Sequence, residues 1–169
     1  MTENEIITRL SHNGLIIKDL LDDVPAGQIL YKPEDDQWCL LEVVCHLADE
    51  EVHDFRARCL STIEDPSIQW PAIDPQGWVK LNKYIDQDFK YKVKTFLSER
   101  KKSVVLLRKI ENPRWGNTYE HPRIGSVTAR MMLHNWLMHD YLHIRQIHRL
   151  KTEYFRTVSA ENLAYAGNW

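Results

Sequence analysis

The chain has 169 residues, 43% hydrophobic and 27% charged, with a formal net charge of -2. That length suits one sizeable core and is short for two, so residues 1–169 are read as a single domain. No apolar run approaches the ~20 residues needed to span a bilayer, and the acidic start MTENEIITRL lacks a signal core, so a soluble cytoplasmic protein is expected.

The first helical segment runs from about Thr2 to Asp23, with Thr2 and Glu5 spaced as a capping box and Ile6, Leu10, Leu20 and Leu21 forming an apolar stripe. Pro25-Ala26-Gly27 ends it. After a polar connection through Pro33 and Trp38, a second helix places Leu41, Cys45, Ala48, Val52, Phe55 and Cys59 on one side. Cys39, Cys45 and Cys59 match no metal-type spacing and are expected as reduced packing residues.

Pro66, Pro71 and Pro75 forbid that helix from continuing, which makes residues 65–85 a long connection rich in aromatic residues. A third segment from about Asp86 to Glu111 carries Phe89, Val93, Phe96, Leu97, Val104 and Leu107 on one face and lysines on the other. Asn112-Pro113 stops it, and a loop through Trp115, His121, Pro122 and Gly125 follows. Ser126 or Thr128 caps a fourth helix expected to reach about Lys151. This last helix is apolar on several sides, so it needs a central position or burial in a homodimer. No strand pattern is visible. The expected fold is all-α, a four-helix bundle with long crossover connections.

Residues 1–75 carry 5 Lys/Arg against 16 Asp/Glu, and the remainder carries 17 against 8. Neighbouring acidic and basic helices account for this, and without a recognition motif nucleic acid is not an expected partner. Gly-x-Ser-x-Gly and glycine-rich phosphate loops are missing too, which argues against a serine nucleophile or nucleotide hydrolysis.

Histidine carries the chemistry. His139 and His143 in MHDYLHIRQI lie one helical turn apart, about 40° around and roughly 6 Å along the axis, so both rings can reach one ion. A third imidazole from another helix would complete an open three-nitrogen site, and His46 in CHLADEE can supply it. Each ring could equally be a hydrogen-bonded core histidine. On the second helix Glu42, His46, Glu50 and His53 form a polar stripe that either faces solvent or lines a pocket mouth. Glu50 and His53 have Glu-x-x-His spacing, but the spacing occurs once where a two-metal carboxylate site uses it twice.

Trp38 with Leu41-Glu42-Val43-Val44 and His46-Leu47-Ala48-Asp49-Glu50-Glu51, then His121-Pro122 with Gly125-Ser126-Val127-Thr128, then His139-Asp140-Tyr141-Leu142-His143-Ile144-Arg145-Gln146-Ile147, together resemble the DinB/YfiT-like family. Cys39 departs from the serine or threonine usual after the tryptophan and puts only the helix cap in question. The resemblance implies an up-down-down-up bundle, often dimeric, with zinc or nickel held by His46, His139 and His143. It also implies relatives that transfer low-molecular-weight thiols such as bacillithiol or mycothiol, and others that are metal-dependent hydrolases.

The expectation is therefore a metal-dependent enzyme that uses a divalent metal and a thiol co-substrate, or failing that water, against an electrophilic small-molecule substrate. Glu50 is a candidate acid or base, and Asp140 or Gln146 could steady the ligand rings. Trp136 could wall a pocket, and His53 could line its mouth. The alternatives are a hydrolase and a non-catalytic metal-binding stress-response protein.

Overall fold

The computed structural model describes residues 1–167. Four long helices dominate: Glu3–Leu21; a second that joins Leu40–Glu50, a π-helical stretch Glu51–Arg56 and Ala57–Glu64; Phe89–Lys109; and Ala129–Val158. Their starts follow local chemistry. Thr2 and Glu5 close a capping box, while the Asp88 and Thr128 side chains accept from the backbone N–H groups of Tyr91 and Met131. At the second helix the Glu42 carboxylate accepts from the Cys39 N–H at 2.9 Å, so the cap holds without a serine.

Helix directions follow from the contacts. Arg130 reaches Glu3 near the starts of the fourth and first helices, and Lys151 reaches the Leu20 carbonyl near their other ends, so these two run parallel. The third helix opposes the first, with Phe89 and Val93 beside Leu21 and Val104 beside Ser11. The second runs with the third, pairing Glu51 with Arg100 and Arg56 with Ser103. It runs against the fourth, where His46 meets His139 and Cys59 meets Ala129. The result is the expected up-down-down-up bundle, in which parallel neighbours require long connections.

Two apolar clusters fill the interior, one around Leu10, Phe55, Leu133 and Trp136, the other around Ile17, Val44, Phe96 and Ile147. At about 1.5–3 kcal/mol for each fully buried aliphatic or Phe side chain, these layers outweigh the surface ion pairs, each worth about 0–1 kcal/mol. Between the layers lies a charged tie. Arg100 makes a bidentate pair with Asp140 at 2.6 and 2.7 Å, reaches Glu51 at 2.9 Å, and donates to the Leu10 carbonyl at 2.9 Å. Gly14 permits that approach, since a Cβ there would stand 3.2 Å from Arg100 Cγ.

Three expectations change. Thr118–His121 and Gly125–Thr128 pair as an antiparallel hairpin where no strand was expected; at four residues each, with only Tyr119 and Val127 buried, they are too short to show alternation. The 65–85 connection contains a helix, Pro75–Leu81, because Pro75 stands at its first turn behind the Asp74 cap, where proline is favoured. The fourth helix continues past Lys151 to Val158. His121 fixes the hairpin loop by accepting from the N–H groups of Arg123 and Ile124. Among the described residues, no helix is long and apolar enough to cross a membrane.

Candidate metal centre

His46 projects from the second helix toward His139 and His143 on the antiparallel fourth, and one potential ligand atom from each falls within 4.8 Å of the other two. His139 Nε2 lies 3.2 Å from His46 Nε2 and 3.1 Å from His143 Nε2. Two nitrogens bound tetrahedrally at about 2.0–2.1 Å from one zinc ion would lie about 3.3 Å apart. Both contacts at His139 therefore fit a shared cation.

The hydrogen count favours a cation as well. His143 Nδ1–H donates to Gln146 Oε1 at 2.7 Å, which leaves a lone pair on His143 Nε2. His139 Nε2 can then act as donor to one neighbour or as acceptor, so at most one of its two short contacts can be a good hydrogen bond. A cation accepts all three lone pairs. Burial holds the rings in the neutral form that ligation requires: it pulls His46 down to about 3 and His139 to about 2, each lowered further by His143, and it lowers His143 too.

Aromatic rings support the cluster. Trp38 packs 4.8 Å from His46, and Phe55 lies 4.9 Å from His139. A cleft of about 400 Å³, lined by His46, His143 and Trp38, leads outward past Asp36, Gln37, Gln76, Gln146 and Arg149. Arg149 donates to Gln37 Oε1 at 2.8 Å across that rim. The site is thus covered by Phe55 at His139 and open along His46 and His143.

Other candidate residues are placed differently from one another. Gln146 braces His143, as expected of a residue behind a ligand. Asp140 instead pairs with Arg100 and is fully buried, so its carboxylate serves the core tie. Trp136 is likewise buried; its indole N–H donates to Glu51 at 3.1 Å and its ring stacks on Phe55, one layer behind His139. His53 is exposed, faces Trp78, and lines a separate depression with Pro71 and Leu81. Glu50 is buried with its Oε1 4.0 Å from His46 Nδ1, on the opposite side of that ring from the converging nitrogens. It does not reach the open face as an acid or base would.

Sequence reasoning missed Phe55, Arg149 and Gln37. Phe55 sat in the apolar stripe without a signal of its own, because its turn toward His139 lies within the π-helical stretch. The three cysteines are buried; burial pushes Cys45 and Cys59 up to about 12 and raises Cys39, so none is poised as a thiolate.

The DinB superfamily sequence model matches residues 16–147, a span that holds all three imidazoles. Among solved structures the fold is similar to YfiT from Bacillus subtilis, described as a probable metal-dependent hydrolase with an unusual four-helix bundle topology. The TM-score is 0.79 at 19% identity, over 89% of this chain and 86% of that one. No curated protein sequence matches.

Proposed function

The chain belongs to the DinB superfamily, and from that premise we propose a metal-dependent enzyme of the hydrolase kind, with one divalent ion held by His46, His139 and His143. Convergence of three imidazoles, two of which, His46 and His143, line an open cleft, is the observation that carries this reading. When bound, the ion supplies Lewis acidity that lowers the pKa of a water or thiol in the cleft toward ~7. Zinc or nickel suits an all-imidazole donor set.

Gln146 orients His143, Trp38 walls the cleft beside His46, Phe55 covers His139, and Arg149, Gln37 and Gln76 offer polar contacts to a small-molecule substrate at the rim. A second reading, transfer of a low-molecular-weight thiol to an electrophile, uses the same ligands. The guanidinium and amides of that rim, beside the Asp36 carboxylate, support it, since they offer a polar co-substrate partners of both signs. Exposed Met138, Tyr141 and Leu142 on the fourth helix support assembly as a homodimer, which light scattering tests directly.

Metal analysis of the loaded chain, followed by ester and amide substrates with and without added thiol, tests these readings. Close to one ion per chain and turnover in water support the hydrolase, whereas turnover only with thiol supports the transferase. Metal without turnover leaves a binding role. Undiminished metal in His139→Ala and His143→Ala overturns the ligand set.

A further inference from the structure

Glu50 is the buried acid beside the imidazole cluster whose position the proposed reaction leaves unexplained. Its Oε1 is buried without a hydrogen-bond partner, and so is His46 Nδ1; the two atoms lie 4.0 Å apart on successive turns of one helix. His46 Nε2 is committed to the cluster, 3.2 Å from His139 Nε2. A neutral imidazole carries one hydrogen, so a lone pair on Nε2 requires the hydrogen on Nδ1, and a buried Nδ1–H requires an acceptor. Glu50 Oε1 is the orphaned acceptor on that side.

We propose that Glu50 is a positioning residue: its carboxyl accepts the His46 Nδ1–H and so sets the tautomer and ring plane that aim Nε2 at the ion. This rests on the reading of His46 as a ligand. The same device is already formed on the fourth helix, where Gln146 Oε1 accepts from His143 Nδ1–H at 2.7 Å. Behind Glu50, Asp54 stands one turn further along and binds Arg58 at 2.9 Å, so the carboxyl is backed by an anchored neighbour. Trp38 against the ring restricts how far His46 can turn. The role does not depend on charge. Burial and Asp54 push Glu50 up to about 8, yet a carboxylic acid and a carboxylate both keep an accepting oxygen.

Two substitutions of similar size separate the outcomes. Glu50→Gln keeps an acceptor, and Glu50→Met removes it. Zinc affinity is measured by competition with a chromophoric chelator, and the His46 tautomer of the metal-free chain by nitrogen NMR. The expected result is an Nδ1–H tautomer for His46 in the wild type, affinity within about threefold in Glu50→Gln, and about 10–100-fold weaker binding with a mixed tautomer in Glu50→Met. Unchanged affinity and tautomer in a folded Glu50→Met chain would overturn the proposal. So would an Nε2–H tautomer in the wild type, which needs no variant to fold. A wild type that binds no zinc refutes the ligand reading instead, and the tautomer still decides whether Glu50 holds the hydrogen.

Discussion

Two buried polar clusters lie back to back in this bundle. They share neighbours in sequence, Glu50 beside Glu51 and His139 beside Asp140, but they are built on opposite principles. Around Arg100 opposite charges are paired: two carboxylates and a carbonyl accept from the guanidinium. Burial opposes that charge, but Glu51 and Asp140 more than offset it and hold the guanidinium above its ordinary pKa. Around His139 like meets like, with three nitrogens crowded together and two polar atoms left without partners. Consecutive helical residues point about 100° apart, so one of each pair can serve the core and the other the cleft. The difference is one of charge: the first cluster is held by opposite charges, although Glu51 Oε1 also lacks a hydrogen-bond partner, whereas the second gathers three uncharged nitrogens at one point.

The largest expected effect comes from breaking the paired cluster. Arg100→Leu strands Glu51 and Asp140 and should lower unfolding stability by about 3–5 kcal/mol in urea titrations. A loss under about 1 kcal/mol would show that the carboxylates find other partners. The imidazole cluster should respond in the opposite way. His139→Gln should weaken metal binding at least about 100-fold (~2.7 kcal/mol) yet change metal-free stability by less than about 1 kcal/mol, because no paired charge is lost. A stability loss as large as that of Arg100→Leu would erase the distinction.

Proton linkage also distinguishes the two clusters. An unfolded His139 takes up a proton as pH falls through 6.5, whereas the buried ring stays neutral down to about 2. The unfolded state therefore binds more protons across that window, and this contribution to stability, complete above 6.5, is lost as pH falls. For this one ring the loss is about 1.4 kcal/mol per pH unit. The stability difference between wild type and His139→Gln, both metal-free, should shift against the wild type by that amount between about pH 6 and 5; a flat difference would mean the ring is protonated in the native state. The smallest effect belongs to Gln146→Leu, which should reduce metal affinity about tenfold while leaving metal-free unfolding unchanged.

Much of this was legible in the chain. His139 and His143 declare a shared face by spacing alone, and capping residues at Thr2 and Thr128 mark where two of the long helices begin. The role of Asp140 is hidden in the sequence, because its partner, Arg100, is 40 residues away and the fourth helix alone does not reveal which face the third helix covers. A uniform α-helical period places Glu50 and His53 in one polar stripe. The wider turn over Glu51–Arg56 leaves His53 outside while Glu50 stays buried. The hairpin gave too few residues for any period to emerge.

Because the second and third long helices run parallel, the chain must climb the full height of the bundle between Glu64 and Phe89, and Pro75 and Gln76 on that ascent border the mouth of the cleft. Cleft border and scaffold are thereby uncoupled. Residues on this peripheral strap can change without disturbing the packed layers beneath, so one imidazole cluster can be presented beside different cleft borders by rewriting a surface segment.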